Sequence, residues 1–419
     1  METSGKTMSL IVQKYGGTSV GDAERIKNVA RRILKTRDEG NKVVVVVSAM
    51  GGTTDRLIGL AHEITSTPDE REMDMLLATG EQMSMALLAM ALHEQGCTAL
   101  SMTGPQAGIF TDGVHTRARI SRIATEKILD RLKHGHVVII AGFQGRSDTD
   151  EITTLGRGGS DTSAVAVAAA LNADCCEIYT DVDGVYTADP RLVPEARKMD
   201  AISHDEMLEL ASLGAKVLQS RSVEFAKKYS VPLVVRSSFS DAPGTWIIKE
   251  TEQMEDVVVR GVSLDKNQAK ITFLHVPDTP GVAATMFRTL ADRAINVDMI
   301  VQNVSEQGKT DVSFTVPADD LDRALGVSRE IADMVGAAAV VPDRDIAKLS
   351  AVGVGMRTHT GIAAKMFGIL SEARINIAMI STSEIKISCV IPKEHADKAL
   401  RLVHNGFGLG GAENAEPEK

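Results

Sequence analysis

Short apolar runs alternate with amphipathic stretches through the first 240 residues. Residues 10–13 read as a strand that ends at Lys14. A helix begins near Asp22. Its apolar positions Ile26, Val29, Ala30, Ile33 and Leu34 recur at helical spacing, and Gly40 stops it. Residues 43–47 are five valines without alternation, which fits a strand covered on both faces of a parallel sheet. Residues 137–141, 178–179 and 231–235 read the same way, and the Ala-rich stretch 164–171 reads as helix. Strand, glycine turn, helix, strand is the α/β pattern.

The pattern changes near residue 250. Residues 249–256 are charged and aperiodic, and a linker is expected over 249–264. An internal repeat follows. PGVAATMFRTLADRAINVDMI at 280–300 matches TGIAAKMFGILSEARINIAMI at 360–380, pairing Gly281 with Gly361, Leu290 with Leu370, Asn296 with Asn376 and Met299 with Met379. Each copy reads strand, helix, strand, strand, helix, with room for a further strand. The expected organisation is an α/β domain over 1–248, small α+β units over 265–342 and 343–407, and a disordered Gly- and Glu-rich tail over 408–419.

Composition narrows the functional classes. The chain has 419 residues, 43% of them apolar and 24% charged, with a formal net charge of −10. The absence of a long uninterrupted apolar run argues against a membrane span. The acidic balance argues against nucleic acid as the main partner. Cys97, Cys175, Cys176 and Cys389 form no CxxC pair or His/Cys cluster, so no metal-ligand set is expected, and the adjacent Cys175 and Cys176 suit a buried strand. His134, His136, His275 and His359 show no ligand spacing. No secretory signal is visible, which makes the cytoplasm the expected compartment.

The candidate chemistry lies in the glycine-rich stretches. GKT at 5–7 lacks the upstream glycine and strand of a P-loop and reads as disordered terminus. KYGGTSVG at 14–21 places Lys14 at a strand end, followed by Tyr15, Gly16 and Gly17 and a helix start, where backbone N–H groups and the helix dipole favour an anion. SAMGGTTD at 48–55, with Ser48 and Thr54, follows the valine strand at the edge where open α/β sheets bind ligands. LGRGGSDT at 155–162 offers Arg157 as a carboxylate clamp, the Gly158–Gly159–Ser160 backbone, and Ser160 or Asp161 as a helix cap. TDVDGVYTADPR at 180–191 is too acidic for a simple hairpin and does not have the spacing of an EF-hand. Lys216 could reach a nucleotide phosphate. Glu81, in TGEQ, is expected to open an apolar helix, where it either caps or binds a substrate ammonium.

These motifs, in this order, closely resemble the aspartokinase family, whose catalytic domain has the amino-acid kinase fold: three layers around a mostly parallel sheet. The repeat resembles tandem ACT domains, βαββαβ (ferredoxin-like) units that bind amino acids. The resemblance covers residues 9–407, and Tyr15 stands where many members have Phe. It implies transfer of phosphate from ATP to the side chain of aspartate, with Lys14, Asp161 and Lys216 catalytic. It implies that Thr54, Glu81, Arg157, Gly158, Gly159 and Ser160 hold aspartate. Lys14, Tyr15, Gly16, Gly17, Ser48, Thr180, Asp181, Tyr186, Arg191 and Lys216 would line the ATP site, with Mg²⁺ carried on the phosphates. It further implies feedback inhibition by lysine, threonine or both. Asp278, Thr279, Gly281, Val282, Ala283, Gln302 and Asn303, with Val304 and Ser305, match the effector loop and strand. Asn296 and Asn376 are either effector residues or turn residues before a strand. Pairing of ACT units implies at least a homodimer, and insertion of one unit between the strands of the other would displace the boundary near 342. Met254 is a candidate internal start for a separate regulatory subunit. The rival readings are another amino-acid kinase, such as one acting on glutamate, and a non-catalytic amino-acid sensor.

Overall fold

The computed structural model describes residues 8–212, 217–250, 257–303 and 307–411. Expectations at residues 5–7, Lys216, Met254, Val304, Ser305 and 412–419 lie outside the described residues. The chain divides into two compact units.

In the first unit the strands are β1 (Leu10–Tyr15), β2 (Lys42–Val47), β3 (Ala99–Met102), β4 (Ile109–Thr111), β5 (Ile120–Ile123), β6 (Val137–Ala141), β7 (Gln144–Arg146), β8 (Ile152–Thr154), β9 (Cys175–Thr180), β10 (Ala201–Ser203), β11 (Leu233–Ser237) and β12 (Thr245–Ile248). The helices are α1 (Ala23–Asp38), α2 (Thr53–Ile64), α3 (Glu70–Glu94), α4 (Glu126–Lys133), α5 (Gly159–Leu171), α6 (His204–Ser212) and α7 (Ser220–Tyr229). The main sheet runs β10-β12-β11-β9-β1-β2-β6-β3, and a four-stranded sheet runs β5-β4-β7-β8. Apart from the antiparallel β11–β12 pair, neighbouring strands of the main sheet are parallel.

Residue parity decides which helix layer each strand residue meets. Tyr15, Val43, Val45, Val47, Val137 and Ile139 pack with α1 and α3 in one core. Lys14, Val44 and Val46 alternate with them and so face the opposite side, where α5 packs on β1, β2 and β9. Asp22 caps α1 by accepting from the Arg25 N–H, and Ile26, Val29, Ala30 and Ile33 are its buried stripe. By length and composition α3 could cross a membrane, but half of its apolar window is buried within the fold. Met85, Leu88, Ala89 and Leu92 pack in the same core as β2 and β6.

The second unit gathers Tyr186–Arg197 with the C-terminal part of the chain. Its strands are β13 (Gly261–Pro277), β14 (Ile300–Gln302), β15 (Lys309–Pro317), β16 (Ala339–Val352), β17 (Met379–Thr382) and β18 (Lys386–Pro392), in one sheet of order β14-β15-β13-β16-β18-β17. Its helices are α8 (Val282–Asp292), α9 (Leu321–Val335), α10 (Ile362–Glu372) and α11 (Ala396–Gly406).

Two strands are long because each serves both repeats. The first part of β13 pairs with β16 from Gly261↔Val352 to Asp265↔Lys348. Beyond a bulged stretch, β13 pairs with β15 from Gln268↔Pro317 onward. The second repeat therefore takes its fourth strand from residues that precede the first. Of the expected 249–264 linker, residues 261–264 are strand, and β16 runs through position 342. This is the insertion of one unit between the strands of the other that the family resemblance implies, and local spacing alone does not reveal the long-range pairing behind it. Met299 and Met379, equivalent in the two copies, meet in one cluster with Ile346 and Val390. The start of the expected disordered tail is packed as well: Leu409 is buried and Gly410 bridges Ala196.

Ala188 and Val193 share a core with Val262, Leu349, Met366, Val403 and Leu409. The Thr187 hydroxyl lies 2.9 Å from His404 Nε2 and donates to the Leu409 carbonyl at 3.1 Å.

A chain started at residue 267 should leave the second repeat with an open sheet edge. We expect it to melt at a lower temperature than one started at residue 257, as read by circular dichroism.

Candidate functional site

The parallel register aligns the carboxyl ends of the central strands. Tyr15 sits opposite both Val47 and Tyr179, Val47 opposite Ala141, and Thr180 opposite Ser237. The glycine-rich turns therefore leave the sheet along one edge. The chain order reverses between β9 and β1, a topological switch point of the kind where open α/β sheets bind ligands.

Lys14 lies on the α5 side of β1, and its Nζ is 2.6 Å from Asp161 Oδ1 in the first turn of α5. Both residues are 8% exposed. The expected Ser160 or Asp161 cap is not formed. Gly158 takes the N-cap position at φ 71° without a side-chain cap bond, which leaves Asp161 for Lys14. A Cβ on Gly16 would stand 3.5 Å from Lys14 Nζ. One on Gly17 would come within 2.8 Å of the Ala49 carbonyl, so only glycine lets the two turns close on each other. The Gly51 N–H donates to the Gly17 carbonyl at 3.0 Å.

Glu81 does not open a helix. It lies in the interior of α3, which begins eleven residues earlier at Glu70. The apolar stretch around Glu81 marks burial rather than a helix start. Its Oε1 accepts from the Ala49 N–H at 3.1 Å, while Oε2 is buried without a hydrogen-bond partner among the described residues. Burial pushes its pKa up to about 7, and backbone hydrogen bonds from Ala49 and from its own amide pull the other way. A half-satisfied carboxylate beside a strand-edge turn fits an incoming ammonium donor. At Gly80 a Cβ would meet the Ala49 Cβ at 2.8 Å, so this glycine lets α3 approach the Ala49 turn.

Ser160 is buried on the same edge. Gly142 passes so close that a Cβ there would fall within 2.9 Å of both the Ser160 Cβ and Val46. The sequence reading missed Gly142, although its place directly after a continuous apolar strand was a usable signal. Arg157 is exposed and has no ion-pair partner among the described residues. Thr54 and Ser48 are half-buried. The Thr180 hydroxyl donates to Asp181 at 3.1 Å.

Three expected site residues behave differently. The Tyr15 side chain is fully buried on the α1/α3 face, where it stacks on Tyr179 at 4.7 Å and donates to Gln13. Strand parity turns it away from the Lys14 face, so only its backbone belongs to the edge. Tyr186 and Arg191 belong to the segment grouped with the second unit, and Arg191 pairs there with Asp189 at 2.7 Å.

In the second unit a cavity of about 460 Å³ is lined by Asp278, Thr279, Gly281, Val282, Ala283 and Gln302, among others. Asn303, Asn296 and Asn376 do not line it. Asn303 is held by backbone bonds to β15, and the other two are exposed in turns after α8 and α10. The second repeat has a cavity of about 450 Å³ at the equivalent turn, around Gly361 and Thr382.

Comparison with known proteins places these features. The model of the amino acid kinase family matches residues 9–237, and that of the ACT domain matches residues 274–328 and 349–407. The aspartokinase of Pseudomonas aeruginosa is 54% identical over 404 residues, covering 96% of this chain and 98% of its own. E. coli aspartokinase III, crystallised with aspartate and ADP, superposes with a TM-score of 0.81 at 28% identity, over 95% of this chain and 99% of its own. Its complex with lysine and aspartate gives a TM-score of 0.76 at the same identity, over 95% of this chain and 99% of its own. The chain thus belongs to the aspartokinases, within the amino acid kinase family, and carries paired ACT domains.

Proposed function

We propose that this chain transfers the γ-phosphoryl group of ATP to the side-chain carboxylate of L-aspartate, giving ADP and 4-phospho-L-aspartate. That would be the first step of lysine, threonine and methionine biosynthesis, carried out in the cytoplasm. The observation that carries the reading is the Lys14–Asp161 pair at the shared carboxyl edge of the sheet. A carboxylate with a pKa near 4 is already a nucleophile at neutral pH, so no general base is required. What the site must supply is in-line placement and charge neutralisation between two anions.

In this reading Lys14 neutralises the transferring phosphoryl group, and Asp161 orients Lys14 rather than removing a proton. Lys216 acts from the nucleotide side. The Gly17 N–H approaches the phosphates, while the Gly16 N–H ties the turn to β9 by donating to the Tyr179 carbonyl at 3.2 Å. Ser48, Thr180 and Asp181 belong to the nucleotide site. Magnesium, carried on the nucleotide phosphates, would spread their charge, with few ligands from this chain. The hydroxyl and carboxylate oxygens of Thr180 and Asp181 are suitable hard donors beside it. Glu81 takes the substrate ammonium, Arg157 takes a carboxylate, and Thr54 with the Gly158–Ser160 backbone completes the aspartate site. The cavity around Asp278 and Gln302 takes lysine or threonine, with Asp278 facing the effector ammonium. A homodimer through the ACT domains, and a shorter subunit started at Met254, complete the proposal.

Incubation with ATP, Mg²⁺, aspartate and hydroxylamine should yield aspartyl hydroxamate, since hydroxylamine displaces phosphate from an acyl phosphate. Product with glutamate alone would identify another amino-acid kinase, and no product at all would identify a sensor. In the same assay Lys14→Ala should lower kcat by about 10²-fold or more.

Glu81 gives a pH signature. Its protonated form cannot accept an ammonium, so kcat/KM for aspartate should fall as pH drops through about 7 in the free enzyme. Glu81→Gln should raise the aspartate KM and abolish that limb of the profile. Gln302→Ala should raise the lysine or threonine concentration needed for half inhibition and leave uninhibited turnover near wild type.

A further inference from the structure

Arg157 stands in a loop whose geometry is set elsewhere. Asp74, in the second turn of α3, is fully buried, and its donors come from two separate segments. One is the turn before β5: His115 Nδ1–H donates at 2.7 Å and the Thr116 N–H at 3.0 Å. The other is the end of β8, where the Thr154 hydroxyl donates to Oδ1. The same two segments are joined by Ala118 N–H to the Thr154 carbonyl at 2.9 Å. Arg221 bridges them again, donating to the Leu155 carbonyl at 2.7 Å and to the Ala118 carbonyl at 2.8 Å.

Thr116 sits at φ 62°, a strained value for a β-branched residue that persists only where the surroundings impose it. Its carbonyl lies 3.0 Å from where a Cβ on Gly156 would be, and Gly156 itself is at φ 75°. Asp74 therefore fixes both the strand end that leads into Leu155-Gly156-Arg157 and the turn against which Gly156 rests. No local spacing links residue 74 to residue 157.

We propose that Asp74, acting through Thr154 and Thr116, is a positioning residue that holds Arg157 where it meets the substrate carboxylate. The inference rests on the reading of Arg157 as that clamp. An arginine that must place two N–H groups on a carboxylate loses binding when its backbone shifts by a fraction of an ångström, whereas Lys14 stands on β1 and Asp161 is carried by α5, which is packed on β1, β2 and β9.

The test replaces one hydroxyl at constant volume. Thr154→Val should raise the aspartate KM about tenfold, with the ATP KM and kcat within about twofold of wild type, and Thr154→Ser should stay near wild type. Asp74→Asn should shift the aspartate KM in the same direction. If that variant does not fold, the Thr154 pair decides, with melting curves to establish folding. An unchanged aspartate KM in folded Thr154→Val overturns the proposal, as does an equal rise in both KM values, which marks general loosening. Arg157→Ala in the same assay separates the layers. If it raises the aspartate KM while Thr154→Val is silent, only the positioning link fails. If Arg157→Ala is itself silent, the clamp fails and the proposal falls with it.

Discussion

A lysine ammonium withdrawn from water is expensive unless an anion accompanies it. Lys14 and Asp161 meet that constraint 2.6 Å apart, and much of the catalytic unit follows from it. Lys14 must project from the middle of a sheet, where neighbouring strands keep solvent away. Asp161 must reach it from a helix on the same face, which requires α5 to start directly over the edge. The glycines at 16, 17, 142 and 158 allow the backbone to close around the pair without side chains in the way. In the proposed reaction an incoming phosphoryl group would add a second anion to the same cation.

Local charge here runs against the global charge. The chain carries a formal net charge of −10, yet the strand edge offers Lys14, an exposed Arg157 and helix N-termini. Glu81 extends the arrangement with the opposite sign. One of its oxygens accepts from Ala49 and the other is buried without a partner among the described residues. An ammonium ligand would satisfy that second oxygen. A substrate with one ammonium and two carboxylates matches this distribution better than a neutral ligand does.

The second unit solves a different problem. A four-stranded repeat on its own leaves sheet edges open, and two repeats that share long strands remove one edge from each. The price is that the boundary between repeats falls inside β13 and β16 rather than in a loop. β13 belongs to both repeats, and its last residues Val276 and Pro277 line the cavity around Asp278. The packing of Ala188 and Val193 against Val262 and Leu409 ties the segment bearing Tyr186 and Arg191 to this same core.

Local periodicity and turn chemistry were enough to read the parallel-sheet domain, the Lys-Gly-Gly and Gly-Arg-Gly-Gly turns, and the repeat with its glycine turns at 281 and 361. Each of those signals lies within a few residues of chain. What tertiary structure decided depends on contacts between distant segments. Strand parity turns Tyr15 into the core while Lys14, one residue earlier, reaches Asp161. Glu81 lies in mid-helix because α3 starts earlier, where Asp69 caps it by accepting from the Arg71 and Glu72 N–H groups, and packing on the sheet carries it on to Glu94. Asn296 and Asn376 fall outside the cavities because the repeats fold their helices between those turns and the effector loop. Asp74 reaches Thr154 across eighty residues, and the second repeat borrows its last strand from before the first. Spacing encodes the rhythm of an element, but partners far along the chain are selected only when burial and hydrogen-bond satisfaction are settled for the whole fold at once.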